Sequence, residues 1–161
     1  MRVREALISG IGAGVAMAVA TWLAKQVAPC TDMPMIWGTM LLPAGYEAWL
    51  LGLVIDLIVA AAIGLLYALA FEHVTHHAGA WSGVLVSLIH SAIAGIALGL
   101  LARVHPRIPE AMPAPGWFAL GYGIWGLIVL FAVHAVFGAF VGATYGAIDR
   151  QPRGVSRSAP A

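Results

Sequence analysis

Three ionisable side chains interrupt stretches of sequence that are otherwise apolar or small: Asp56, His90 and His134. If such a stretch crosses a bilayer, an ionised carboxylate costs several kcal/mol and therefore needs a partner or water. A histidine there can bind a proton near neutral pH or ligate a metal. These residue types predict one of three kinds of chemistry: a hydrogen-bonded strut between helices, a proton-binding step on a solute path, or a cofactor site.

An internal repeat suggests a partner for Asp56. Segments 54–68 and 132–146 align without gaps and place three pairs of residues at equivalent positions: Asp56 with His134, Gly64 with Gly142, and Tyr67 with Tyr145. Segments 8–17 and 81–90 align in the same way. The repeat predicts two helical hairpins of the same orientation, related by a pseudo-twofold axis along the membrane normal. Asp56 and His134 would then lie at one depth, and we expect them to pair.

His90 belongs to a segment in which small residues recur at every fourth position: Gly83, Ser87, Ser91, Gly95 and Gly99. Small residues at this spacing let helices approach closely in lipid, so the row predicts a packing face. His90 is expected to share that side of the helix and to find a hydroxyl partner at Ser87 or Ser91.

A haem between His90 and His134 would require both rings to reach one iron at the same depth. Counted from the predicted helix ends, His90 lies nine residues after Trp81, and His134 lies sixteen residues before Arg150. At 1.5 Å per residue these positions differ in depth by roughly 10 Å. We therefore predict no cofactor and keep haem b as an alternative.

A connection rich in histidine follows the second apolar segment. If the preceding helix continues, His73, His76 and His77 share one face, where they could bind a transition metal or respond to pH. The simpler interpretation is a solvated turn whose histidines lie among the lipid headgroups.

Soft sulfur atoms cluster in the segment 28–43, where Cys30, Met33 and Met35 could hold copper(I). Their spacing matches no copper motif. The simpler interpretation is an apolar loop that packs on the helices, and copper is the second cofactor alternative.

The elements that position these residues follow from composition. The chain of 161 residues is 61% hydrophobic and 9% charged, whereas a soluble domain carries about 25% charged residues. Its mean hydropathy is +0.92. Four stretches are long enough to cross a bilayer, at about 5–24, 49–71, 81–102 and 120–148, and each must be a helix because lipid offers backbone groups no partners. We predict an all-α integral membrane protein.

One transmembrane domain is expected over 1–148, followed by a polar, disordered tail over 149–161. The two ends of the chain carry five arginines, and the first and third connections together carry three lysines and arginines. This excess predicts that both termini are cytoplasmic. A net charge of +1 gives no electrostatic basis for binding nucleic acid.

The order of these features, with "HAVFGAFVGATYG" at 134–146 as its most specific part, resembles a family of small four-helix bacterial membrane proteins of unknown function. A more distant likeness is to the YagU-type inner-membrane proteins. The resemblance rests on His134, Gly142, Tyr145 and Gly146, and Asp56 stands where a histidine would be expected. It implies a multi-pass protein of the bacterial inner membrane and implies no activity.

The chain contains no phosphate loop, nucleophile elbow or zinc-protease helix, so we predict that it is not an enzyme. The expected function is a structural or partner-binding membrane subunit. The alternatives are a small oligomeric transporter or proton-linked channel that uses Asp56 and His134, and a haem- or metal-binding subunit. The expected partners are the bilayer and either a second copy or another membrane protein.

Overall fold

The computed structural model describes residues 1–110 and 112–149, and every regular element in this part of the chain is helical. Four helices are long and apolar enough to cross a membrane. They are α1 (Val3–Ala24), α3 (Tyr46–Ala70), α4 (Ala80–Val104) and α5 (Gly123–Asp149), with a short α2 (Met33–Thr39) between α1 and α3. The prediction of an all-α membrane fold is confirmed. Residues 150–161, most of the predicted tail, lie outside the described residues.

Two predicted boundaries are wrong because the backbone changes its winding there. The helix expected to end at residue 71 continues from α3 into a π-helical turn, Phe71–Thr75, and stops at His76, whose φ of 55° is left-handed. The last span was expected from residue 120, but Trp117–Tyr122 forms a separate 3-10 segment before α5. Phe118 and Ala119 have positive φ angles there, 52° and 60°, which a continuous right-handed helix cannot accommodate.

The 3-10 segment is held against α4 by aromatic rings that fit over glycines. The Phe118 ring lies over Gly95, and the Trp117 ring lies over Gly99, so closely that an added Cβ would overlap them. Part of the predicted row of small residues therefore receives side chains instead of a neighbouring helix. The rest of the row, at Gly83, does pack against α5.

The two hairpins cross at equivalent positions of the repeat. In the first hairpin a Cβ on Gly10 would lie 2.5 Å from the Ala60 carbonyl oxygen and 3.1 Å from Gly64. The repeat aligns these three residues with Gly83, Gly138 and Gly142, and those three are in equally close contact in the second hairpin. Such close backbone approach needs small residues. The geometry supports the internal repeat.

The long helices pack in the spatial order α3, α1, α5, α4, and the two outer helices scarcely touch. Under the repeat, the α1–α5 contact and the α3–α4 contact are equivalent. The Phe140 ring fills the space over Gly12 between α1 and α5. The equivalent residues, Leu85 and Ala62, are both exposed and do not interlock. The two hairpins therefore pack closely where α1 meets α5 and leave a gap between α3 and α4.

The segment 28–43 is partly helical and packs on α3. Asp32 caps α2 by accepting the Met35 N–H at 3.1 Å, and Pro34 begins the first turn. Gly52 of α3 lies directly under the Pro34 carbonyl. The predicted apolar loop is thus a short helix that covers one end of the gap between α3 and α4.

Candidate functional site

A cavity of about 520 Å³ fills the gap between α3 and α4, with α1 and α5 behind it and α2 at one end. Its walls are mainly aliphatic. Its polar lining consists of Thr21, Cys30, Thr31, Trp37, Asp56, Tyr67, His90 and His134. Leu66, Ile89 and Ile93 line it and are 63%, 67% and 63% exposed, so the cavity opens sideways between α3 and α4, toward the lipid.

The polar groups concentrate at two separate ends. Asp56 and Trp37 lie at the end covered by α2, called here the α2 end. Tyr67, His90 and His134 lie at the end nearer the chain termini, called the terminal end. Asp56 and Tyr67 are eleven residues apart on α3, which is about 16 Å along a helix.

The terminal end is a cluster of four rings: Tyr67, His90, His134 and Phe137. The His90 and His134 centroids are 4.6 Å apart in edge-to-face contact, and the Tyr67 and Phe137 centroids are 5.5 Å apart. Aromatic rings prefer such edge contacts. His134 is buried, and its ring is held by the contact with His90 and by a hydrogen bond to the Leu130 carbonyl.

The predicted depth mismatch between His90 and His134 is wrong. Gly142 of α5 lies over the Gly79 carbonyl, so α5 runs well past the start of α4. From that common level His90 is eleven residues along α4 and His134 eight residues along α5. The remaining three residues amount to about 4.5 Å, which the two side chains bridge.

The same contact does not fit a haem between the two histidines. A bis-histidine haem places the porphyrin plane between its axial rings. Rings in edge contact at a centroid distance of 4.6 Å leave no space for that plane.

The hydroxyl partner of His90 is Tyr67, not a serine. The Tyr67 hydroxyl lies 3.3 Å from His90 Nδ1. Ser87 donates instead to the Val84 carbonyl and Ser91 to the Ser87 carbonyl, both at 2.7 Å. Both serine hydroxyls are therefore used within their own helix, a common alternative for serine in helices.

His134 has a defined hydrogen-bonding state. Its Nδ1 lies 2.7 Å from the Leu130 carbonyl, which can only accept, so Nδ1 carries a proton. In the neutral ring Nε2 is then an acceptor. The Tyr67 hydroxyl can donate to His90 Nδ1 or accept from it. The terminal end thus offers an imidazole acceptor at His134 Nε2.

The predicted Asp56–His134 pair does not form, although both residues line the cavity. The Trp37 indole N–H donates to Asp56 Oδ1 at 3.2 Å. Sequence analysis missed this contact because it depends on the α2 fold, which brings Trp37 down beside α3. Asp56 is half-buried, and no lysine or arginine lines the cavity within residues 1–110 and 112–149.

The sulfur-containing residues do not converge on a copper site. Cys30 and Met33 line the cavity, whereas Met35 does not. Burial raises the pKa of the Cys30 thiol, against a smaller opposing effect of Lys25. A thiol must lose its proton to bind a metal, so this environment disfavours ligation.

The three histidines of the second connection do not share a helix face. The helix ends at Thr75, and His73, His76 and His77 are all exposed. His76 Nδ1 donates to the Glu72 carbonyl at 3.2 Å. Within residues 1–110 and 112–149, no group of three or more His, Cys, Asp or Glu side chains could hold a metal ion.

A second set of contacts, which sequence analysis did not predict, holds α2 in place. Buried His105 donates from Nε2 to the Ile36 carbonyl at 3.0 Å and accepts the Arg107 N–H on Nδ1. The Arg107 guanidinium donates to the Thr39 carbonyl at 3.0 Å. These carbonyls belong to the last turn of α2, where a helix leaves acceptors unpaired. Residues from the α4–α5 connection therefore fix the cover of the cavity.

Comparisons with protein-family models, with curated proteins and with solved structures find no match to this chain.

Proposed function

We propose that the protein is a membrane-embedded binding protein that takes small apolar or amphipathic molecules from the bilayer into the cavity between α3 and α4. The carrying observation is the cavity itself, about 520 Å³ of mainly aliphatic wall with polar groups at two ends. Pockets for small ligands are typically about 300–1,000 Å³, largely apolar, with a few polar groups that orient the ligand.

The lining between the two polar ends favours binding over ion conduction. Ala60, Ile63 and Val133 line the cavity between Asp56 and the ring cluster. A path for protons or ions needs polar groups or water along its length, because an unsolvated charge in lipid is costly. An apolar molecule needs neither and gains by filling the space.

The location proposed is the bacterial inner membrane with both termini in the cytoplasm. The four apolar helices make this a membrane protein by length and composition. The excess of arginine at the two ends of the chain supports the orientation. The bacterial assignment depends on the family resemblance alone.

A second candidate is a partner-binding subunit whose partner inserts a helix into the same gap. The observation that favours it is the broken repeat: α1 and α5 are closely packed, whereas the equivalent α3 and α4 are not. The exposed apolar rim at Leu66, Ile89 and Ile93 would then be covered by protein. This candidate predicts an oligomer or complex in mild detergent, whereas ligand binding does not require one.

Photolabelling with a diazirine-bearing alkane in phosphatidylcholine nanodiscs tests the proposal. Val133 lines the cavity but is only 7% exposed, so labelling there requires a molecule inside the cavity. We expect Val133 to be labelled along with Ile58, which is 65% exposed and lies outside the cavity lining. Labelling of Ile58 without Val133 would overturn the proposal.

A matched pair of substitutions sharpens the test. Ala97→Trp places an indole in the cavity from α4, where Ala97 is exposed and lines it. Ala132→Trp places the same group on an exposed position of α5 outside the cavity lining. We expect Ala97→Trp to reduce Val133 labelling several-fold and Ala132→Trp to leave it unchanged. Equal effects of the two variants would contradict the proposal.

A further inference from the structure

We infer that the ligand class for this cavity is a lipophilic organic cation, with its positive group at the Asp56 carboxylate and Trp37 ring and its apolar body extending toward the ring cluster. This inference rests on the proposed function and assigns the kind of molecule that the cavity takes.

The charge of the lining is the first reason. Among the described residues, Asp56 is the one acidic side chain on the cavity wall, and no lysine or arginine lines it. Asp32 forms an ion pair with Lys25, and the two line a smaller adjoining cavity that Asp56 also lines. When Asp56 is ionised, the α2 end therefore carries a negative charge that no described basic side chain pairs, because Lys25 is already paired with Asp32. An anionic head group would be repelled from it, whereas a cation would be attracted.

Unused hydrogen-bonding capacity is the second reason. A carboxylate has about four acceptor sites, and the described residues supply Asp56 with one hydrogen bond, from Trp37. The Thr31 hydroxyl, at the same end, is buried with no hydrogen-bond partner among the described residues. Buried polar groups are ordinarily satisfied, so the Thr31 hydroxyl indicates that something else completes the site, and the half-buried Asp56 carboxylate beside it has acceptor sites left for a ligand.

The Trp37 ring is the third reason. Indole is the most favourable of the aromatic side chains for contact with a cation, and it lies here beside a carboxylate. A carboxylate that supplies charge and an adjacent indole in the cavity lining are together suited to a bulky, weakly hydrated cation such as a quaternary ammonium or phosphonium group.

The shape of the cavity indicates what the part of the ligand beyond its cationic group must be. About 16 Å separates Asp56 from Tyr67 along α3, and the lining between them is aliphatic. At the terminal end the rings of Tyr67 and Phe137 pack edge to face. A molecule with one cationic group and an alkyl or aryl body fits this distribution, whereas a polyamine with several charges does not.

Competition with the Val133 photolabel tests the charge preference. Tetraphenylphosphonium and tetraphenylborate are close in size and shape and opposite in charge. In phosphatidylcholine nanodiscs we expect tetraphenylphosphonium to suppress Val133 labelling at a lower concentration than tetraphenylborate. Equal potency of the two ions would overturn the inference.

Substitution of Asp56 then tests the residue assignment. Asp56→Asn keeps the shape and removes the charge, and we expect tetraphenylphosphonium to lose about 10- to 100-fold in potency, the range for a hydrogen-bonded or paired charged group. Glu47→Gln, the same chemical change nearer the start of α3 and outside the cavity lining, is the control and should change potency less than twofold. Labelling of Val133 without competitor should be the same in all three proteins.

The outcomes separate the two proposals. If Val133 is not labelled in the unsubstituted protein, the proposed function fails, and this inference fails with it. If Val133 is labelled, and tetraphenylphosphonium competes equally well in the unsubstituted protein and in Asp56→Asn, the cavity binds apolar molecules and the cation assignment is wrong. In that case Asp56 serves as a structural partner of Trp37.

Discussion

Substitution of Gly10 by alanine should weaken the crossing of α1 and α3, the contact that forms the back of the cavity. The added Cβ would lie 2.5 Å from the Ala60 carbonyl oxygen and 3.0 Å from the Ala61 Cα. Both neighbours are backbone atoms and cannot rotate away. An ordinary contact to a Cβ begins near 3.4 Å, so the helices must separate by close to 1 Å at this point.

The cost follows from that displacement. A radial gap of about 0.5–1 Å loses roughly a quarter to a half of each dispersion contact along the crossing, and overpacking of this kind costs about 1–3 kcal/mol. Alanine recovers up to about 1 kcal/mol through its higher helix propensity. We therefore expect a net loss of about 1–2 kcal/mol in the free energy of unfolding.

Titration with sodium dodecyl sulfate from a mild detergent, followed by circular dichroism, measures this free energy. Gly79→Ala is the matched control, because a Cβ there meets nothing within 4 Å and its φ of 171° suits any residue. Equal or greater stability of Gly10→Ala compared with the unsubstituted protein would refute the close crossing. Gly83→Ala, at the equivalent position, should behave like Gly10→Ala if the repeat is real.

Three further predictions concern the two ends of the cavity. Tyr67→Phe removes the hydroxyl 3.3 Å from His90 Nδ1 and should cost about 0.5–1.5 kcal/mol in the same titration; no change would show that the contact contributes nothing. His105→Ala removes a donor from the last turn of α2, so hydrogen exchange of the Ile36 and Thr39 amides should accelerate several-fold, and exchange as slow as in the unsubstituted protein would contradict the role assigned to His105. Burial raises the pKa of the Cys30 thiol, so less of it is thiolate at a given pH. Its alkylation by iodoacetamide should therefore reach half its maximal rate at a pH above about 8.5, the ordinary pKa of a thiol. A midpoint at or below that pH would contradict the burial.

The fold class could be read from the sequence because lipid leaves the backbone few choices. A span without water must satisfy its own hydrogen bonds, so four apolar stretches imply four helices. The repeat was also readable, because the positions where two backbones meet must be small. At Gly64 and Gly142 a neighbouring backbone lies so close that only glycine fits, and the residue type therefore marks the crossing.

The partners of the buried polar residues could not be read in the same way. The sequence predicted Asp56 with His134 and His90 with a serine, whereas the structure has Asp56 with Trp37 and His90 with Tyr67. The first error arises from relative depth, and the second arises because both serine hydroxyls donate to carbonyls of their own helix. Depth depends on where α4 starts against α5 and on the position of α2, and neither is encoded in the local pattern of one helix.

The number of spans, their helical state and the small-residue positions at which the two hairpins cross are all evident from the amino-acid sequence, because each is a property of one segment in lipid. Close packing of α1 with α5, and the gap between α3 and α4, are visible only once the helices are assembled. That difference arises from how Phe140 fits over Gly12, whereas Leu85 and Ala62 do not interlock. The cavity, and with it the site at Asp56, exists because of this unequal packing of two similar hairpins.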